Sequence, residues 1–556
     1  MGKNANNRGP GKGAAESVSR RAFLSKGAAG VGAATLVGVG ANRAQAQAIK
    51  WDLSADVVII GAGVSGLAAA ITARDSGASV INVDENFDIG GRGMLSGGRV
   101  HLGGGHALQQ KAGIKDTADQ IFKDWVRHDA AVARYSDRDL VRVFADENLP
   151  TFNFLIENGV EFIEKPIGPE AASTVPRTFV TVEWQNKDEI YAPGGDRNGS
   201  GLVRRLEQSA RKKGVQILLR HEMKSIIREH PASGKVLGIA VTHPGGALNI
   251  EARKGVIIAT GGHTGNVNFR RTFDPRLTEE YQQACLPYVF QGAKGELAAM
   301  EIGGSLWATA NQTSESGAAI TKTRHIGCRW GYSSLVFQPE SKLFPLAKAT
   351  GLTVGDWQNM IFVKQNGRRF WNEVDGSYRY FAAAMAYDGE SSKLNGGGPI
   401  WAIFDADAVA REKWDPKPPH VDPDGYFASA DTIAELAPKI KNPHQKQPMS
   451  GAVLQETVNR YNSFVASGTD TDFKKPTPMY KIEKPPFYAA WATPILHDTL
   501  TGLRSNTHGE VIDIRGEVIQ GLYCSGESQG GFAQHGLARC LVFGRVAGRN
   551  AAKGTA

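Results

Sequence analysis

Residues 56–66 read DVVIIGAGVSG, and this stretch decides the fold. Val57, Val58, Ile59 and Ile60 form a short β-branched run, which predicts a buried strand. Gly61, Gly63 and Gly66 follow at GxGxxG spacing, and the alanine-rich segment Leu67 to Ala73 predicts a helix. Strand, glycine turn and helix in this order place a helix N-terminus under a pyrophosphate. The first glycine permits the tight turn, the second lets phosphates approach the backbone, and the third lets helix and strand pack closely. Ala62 and Ser65 belong to the same turn and share the candidate binding site.

Gly77 ends the helix, and Ser79 to Val83 (SVINV) predicts a second strand. Asp84 and Glu85 close it about 20 residues past the glycines, where a carboxylate meets the adenosine ribose of a dinucleotide. Asp84, which directly ends the strand pattern, is the preferred ligand. A glycine-dense loop follows, with Gly91, Arg92, Gly93, Ser96 and Gly97 as candidates, because bare backbone lets a flat ring or phosphates come close. Further along, Lys254 to Gly262 (KGVIIATGG) is a buried strand that ends on Ala259, Thr260 and Gly261, and so returns to the same dinucleotide. Met223 ends an earlier strand and reads either as a backbone contact to adenine or as core.

At 556 residues the chain has room for two or three domains of roughly 150 residues each. Residues 1–48 read as a twin-arginine signal peptide: SRRAFL at 19–24, a glycine-rich apolar stretch, then small-residue cleavage sites around Ala46 and Ala48. This predicts a folded passenger exported to the periplasm or beyond. The leader carries seven basic residues against Glu16, so its removal takes the formal charge from +8 to +2. Most of the basicity is leader, and no nucleic-acid partner follows from it. No apolar block free of glycine is long enough to span a membrane after cleavage. Cys285, Cys328, Cys524 and Cys540 lack the spacing of a zinc, haem or iron–sulfur site, and no metal is expected.

Composition shifts near Ser316, where glycine turns thin out and aromatic residues increase, and returns to short strands after Tyr488. Asn366-Gly367 predicts a hairpin, and Val453 to Phe464 an amphipathic helix. The ordered set GAGVSGLAAA, Asp84, KGVIIATGG, QNGRRFWNE, GLYCSGESQGG and LVFGRVAG resembles the FAD-dependent fumarate reductase and succinate dehydrogenase flavoprotein superfamily. Its soluble members include flavocytochrome fumarate reductases, urocanate reductase, tricarballylate dehydrogenase and 3-ketosteroid dehydrogenases. The resemblance implies an α/β fold, a glutathione-reductase-type FAD-binding Rossmann domain with an inserted α+β capping domain. The expected division is 49–315 and 489–556 for the FAD-binding domain and 316–488 for the capping domain.

On the same resemblance, Gly526 and Glu527 contact FAD, and Leu541 and Val542 stand at the last helix N-terminus, near the flavin pyrimidine edge. His101 and His106, in the glycine-dense loop, read as flavin contacts or as structural histidines. The resemblance also implies hydride transfer between flavin N5 and a carbon–carbon bond next to a carbonyl or carboxylate. Arg379 and Arg539 are candidates to bind the activating group, and Tyr378, His497 and Asp498 to move the proton. The family's substrate segments are altered here, at His497 to Gly502, His535 to Arg539 and Asn372 to Tyr380. The tyrosines of the capping segment point to ketone or ring substrates. With no haem motif, electrons pass to or from a separate partner, a quinone or a cytochrome. The other readings are a flavin oxidase that uses O₂ and a non-catalytic electron-transfer flavoprotein.

Overall fold

The computed structural model describes residues 49–554, apart from 128–135, 171, 185–197, 284–288, 308–317, 331–343, 377, 386–397 and 535. The leader therefore lies outside the described residues.

The glycine stretch takes its expected form, with strand β1 (Leu53–Ile60) followed by helix α1 (Val64–Asp75) and strand β2 (Val80–Asp84). Side chains alternate faces along a strand. Val57 and Ile59 enter one apolar core, Val58 and Ile60 the opposite one, and all four are buried. A strand covered on both faces is what an uninterrupted β-branched run favours.

Helix α2 (Gly199–Lys212) leads to strands β3 (Gln216–Leu219), β4 (Glu222–His230), β5 (Ser233–His243) and β6 (Gly246–Ile258). Next come β7 (Ala318–Thr321), β8 (Ile361–Lys364), β9 (Ile400–Phe404), β10 (Phe427–Ala430) and β11 (Phe487–Trp491). The chain ends with β12 (Ile495–Thr499), β13 (Glu510–Ile512), β14 (Val518–Cys524) and helix α3 (Leu537–Lys553).

The main sheet has the order β13-β14-β6-β1-β2-β3, with β5 and β4 branching from β6. β14, β6, β1, β2 and β3 are parallel neighbours, so the late strand β14 lies beside β6, opposite Val256, Ile257 and Ile258. Helix α3 packs on α1 through two glycines one turn apart. A Cβ at Gly544 would stand 2.4 Å from the Ser65 carbonyl oxygen, and one at Gly548 would stand 2.3 Å from that of Ala69. First helix and last helix thus meet backbone to backbone.

The aromatic-rich segment forms an antiparallel sheet, β8-β9-β11-β10. Its last strand runs to Trp491, so a boundary at 488 cuts through a strand. One of its two cores reaches back to Leu277 and Tyr281 and forward to Leu496. By contacts, Trp51–Ala556 form a single compact unit. The composition shift near Ser316 precedes the first strand of this sheet at Ile361, and the packing extends past the expected boundaries on both sides.

Candidate functional site

A cavity of about 1330 Å³ opens at the C-terminal ends of β1, β2 and β6. This is where ligands bind in open α/β sheets. The three motif glycines differ in what surrounds them. Gly61 has φ +103°, and a Cβ there would lie 2.3 Å from the Ala259 carbonyl oxygen. A Cβ on Gly66 would lie 1.9 Å from the Gly61 carbonyl oxygen. At Gly63 it would meet only Gly90 O, at 3.8 Å, and otherwise face the cavity. Gly63 also caps α1, whose free backbone N–H groups and dipole favour an anion.

Of the residues read from sequence as cofactor ligands, the cavity wall contains Gly61, Gly63, Ser65, Asp84, Glu85, Gly91, Arg92, Gly93, Ser96 and Gly97. It also contains Met223, Ala259, Thr260, Gly261 and Glu527. Ala62, Gly66 and Gly526 lie just behind it and shape the turns. Leu541 and Val542 are corrected. Gly536, at φ +93°, caps α3, so the helix starts four residues before the expected position and both side chains are buried in the core. The residues this helix gives to the wall are Leu537 and Cys540, after Gly536.

Asp84 is held by two backbone donors, Ala62 N–H at 2.7 Å and Asn86 N–H at 2.8 Å. Burial pushes its carboxyl up to about 6 against those two bonds. Glu85 pairs with Lys294, which also reaches Glu222 at 2.8 Å. Met223, Thr242 and His243 close this end.

A polar cluster stands further along. Arg92 donates to Gln291 Oε1 at 2.7 Å and lies 3.7 Å from both Asp498 and Glu527. Gln291 Nε2 donates in turn to Glu527. His497 Nδ1 is 2.9 Å from Asp498 Oδ1. Burial raises the Glu527 carboxyl to about 7, Arg92 opposing and Asp498 adding to the rise. Burial thus favours the protonated form of a carboxyl that stands beside a cation.

The catalytic candidates divide. His497 and Asp498, both on β12, are on the wall. Arg539 is not: it is buried, and its guanidinium donates to the carbonyl oxygens of Thr499, at 3.3 Å, and Gln529. It braces the backbone behind the cavity. Tyr378 and Arg379 begin the helix Tyr378–Met385, but their side chains lie outside the described residues. Tyr380 is fully buried away from the wall, and no described tyrosine lines it.

His101 lines the cavity, its ring held by Thr178 at 2.9 Å and Ser173 at 2.7 Å. His106 does not. It stacks on Phe152 with centroids 3.7 Å apart, a structural histidine. Cys524 and Cys540 are free thiols. The sequence reading missed Gln291, Lys322, Arg324 and His325, all on the wall. Gln291 had a local signal in the QGAKG turn before a helix; the other three sit in no recognisable pattern.

The sequence pattern of the FAD binding domain family matches residues 56–539. The chain belongs to this family. Within it, fumarate reductase (cytochrome) from Shewanella frigidimarina is 27% identical over 507 residues, covering 90% of this chain and 77% of the relative. The acrylate reductase flavoprotein subunit of Shewanella woodyi is 27% identical over 554 residues, covering 96% and 98%. Among solved structures, the open conformation of a flavocytochrome c3 fumarate reductase superposes with a TM-score of 0.65 at 23% identity, over 90% of this chain and 79% of that one. These matches place the chain in the FAD-dependent fumarate reductase and succinate dehydrogenase flavoprotein superfamily, and FAD is the cofactor.

The wall fits FAD in its own terms. A bare Cα at Gly63 and the N-terminus of α1 suit a pyrophosphate, while the Asp84 and Glu85 end suits a ribose. Gly91, where a Cβ would meet nothing within 4 Å, leaves room along the glycine-dense loop.

Proposed function

We propose that this chain is an FAD-dependent oxidoreductase that reduces a carbon–carbon double bond next to a carbonyl or carboxylate. One observation carries the reading: a single cavity runs from the dinucleotide motif to a polar wall built by His497, Asp498, Lys322 and Arg324. The names of the fumarate and acrylate reductases to which it is similar support the direction. FAD, when bound, supplies the two-electron chemistry. The protein's part is to hold the substrate against it and to manage a proton. His497, Asp498 and Glu527 are the groups placed to hold that proton, and Arg92 and Gln291 fix their positions. The segment that carries the antiparallel sheet, continued to Trp491, acts as the capping domain over the substrate. Electrons arrive from a separate donor, a quinone or a cytochrome. The leader directs export of the folded protein by the twin-arginine route.

The test is anaerobic. The purified yellow protein is reduced with dithionite and mixed with acrylate, fumarate, urocanate or a cyclic enone. Return of the oxidised-flavin band near ~450 nm with one of these marks a substrate. If none restores it, the reaction is wrong. Peroxide release with a reduced substrate in air favours an oxidase instead. Export is checked separately, by whether Arg20→Lys with Arg21→Lys leaves the precursor in the cytoplasm.

A further inference from the structure

Lys322 follows β7, which pairs antiparallel with β12, Thr321 opposite Ile495 and Ala319 opposite Asp498. The small sheet that presents His497 and Asp498 therefore also carries Lys322, and all three line the cavity. The Lys322 ammonium donates to the Glu373 carbonyl oxygen and lies 3.7 Å from the centre of the Trp357 ring. Phe362 and Tyr380 stand further off, at 5.7 and 5.6 Å. The Glu373 carboxylate is engaged elsewhere, by Arg369 at 2.8 and 2.9 Å and by Lys475 at 3.3 Å. Lys322 thus lacks a carboxylate ion-pair partner among the described residues.

We propose that Lys322 anchors a substrate carboxylate, so that the substrate is a small unsaturated carboxylic acid and not a neutral ketone. The inference deepens the reaction proposed above and rests on it. The aromatic rings attract the ammonium but supply no counter-ion, and a buried cation without one is costly. One of its three N–H bonds is used by Glu373, and the cavity is the space that remains for an acceptor. Arg324 adds a second cation to this end of the wall, while burial and Arg324 push the His325 imidazole down to about 4 and leave it neutral. The phenol that would polarise a neutral carbonyl is missing from the described wall. Burial also lowers Lys322 to about 7, Glu373 and Asp375 opposing and Lys475 adding to the fall. An arriving anion would hold the ammonium in its charged form.

The test uses oxidised, FAD-loaded enzyme, held anaerobic without an electron acceptor so that no turnover is sustained, with the saturated acid propionate and with the neutral propionamide. Binding is read by calorimetry and by the flavin difference spectrum. Wild type is expected to prefer propionate, more tightly at pH about 6 than at pH about 9. Lys322→Met should weaken propionate roughly tenfold or more and flatten that pH dependence, while Lys322→Arg retains binding within a few-fold. Glu373, Asp375, Lys475, Arg324, His325, His497 and Asp498 also surround the site, and the variant subtracts their share. Flavin content and melting temperature check that Lys322→Met is folded. The proposal is overturned if Lys322→Met binds propionate like wild type, if propionamide binds as tightly, or if wild type binds no propionate. Propionate binding without flavin reoxidation by any unsaturated acid would instead leave the anchor standing and remove the reaction.

Discussion

At Gly63 a side chain is excluded by the ligand and not by the protein. Its φ of −77° suits any residue, and a Cβ would meet only the Gly90 oxygen at 3.8 Å. Gly63→Ala should therefore fold with a melting temperature near that of flavin-free wild type, while FAD affinity falls roughly tenfold or more. Fluorescence titration of the flavin-free protein checks this. Gly66→Ala is the contrast: its Cβ would collide with the Gly61 carbonyl, so stability and flavin are expected to fall together. A second residue sets a pH dependence. Burial holds the His106 imidazole down at about 4. A depressed folded value means that stability is complete above the unfolded pKa near ~6.5 and is lost as pH falls towards 4. The loss from this ring is roughly 3 kcal/mol. Urea unfolding of His106→Gln against wild type should show a shallower decline over that range, and parallel curves would refute it.

Among the elements, α3 against α1 is the contact on which the site's geometry depends. Gly544 and Gly548 let two backbones touch, so a side chain at either position forces the helices apart. Gly548→Val should cost about 1–3 kcal/mol and release flavin, because the N-terminal ends of both helices reach the cavity wall. A variant that keeps full flavin and wild-type melting would contradict this packing. In the capping segment, Arg369, Glu373, Asp470 and Lys475 form a buried ionic network beneath the Lys322 loop. Burial alone would raise Glu373, but Lys475 and Arg369 outweigh it and hold the carboxyl down at about 2. Its contribution is therefore present above the unfolded value near ~4.5 and is lost as pH falls through about 2. Glu373→Gln leaves two buried cations short of a counterion, and a loss of about 3–5 kcal/mol in urea unfolding is expected.

For the molecule as a whole, FAD binds only the folded form, so an excess of about 100 times its Kd should add roughly 2.7 kcal/mol and raise the melting temperature of flavin-depleted protein. No shift on adding FAD would deny the cavity its ligand. No helix among the described residues is long and apolar enough to cross a membrane. Much of this architecture was legible in the sequence, because β1, α1 and β2 are governed by neighbours in the chain: a β-branched run, three glycines and a terminal acid. Lys322 was not, since it reaches the wall through the pairing of β7 with β12, segments far apart in the chain. Arg539 misled for a related reason. Its HGLAR setting suggests a substrate ligand, yet the early start of α3 turns the side chain onto Thr499 and Gln529.

The Ser65 and Ser525 hydroxyls touch at 2.6 Å although 460 residues separate them. Until Ser525 has left the ribosome this junction cannot form, so the cradle is completed only after that late segment has emerged. A translocation pore that threads extended polypeptide would then deliver an empty protein, left to find its flavin on the far side. One that moves a completed globule would deliver it already yellow.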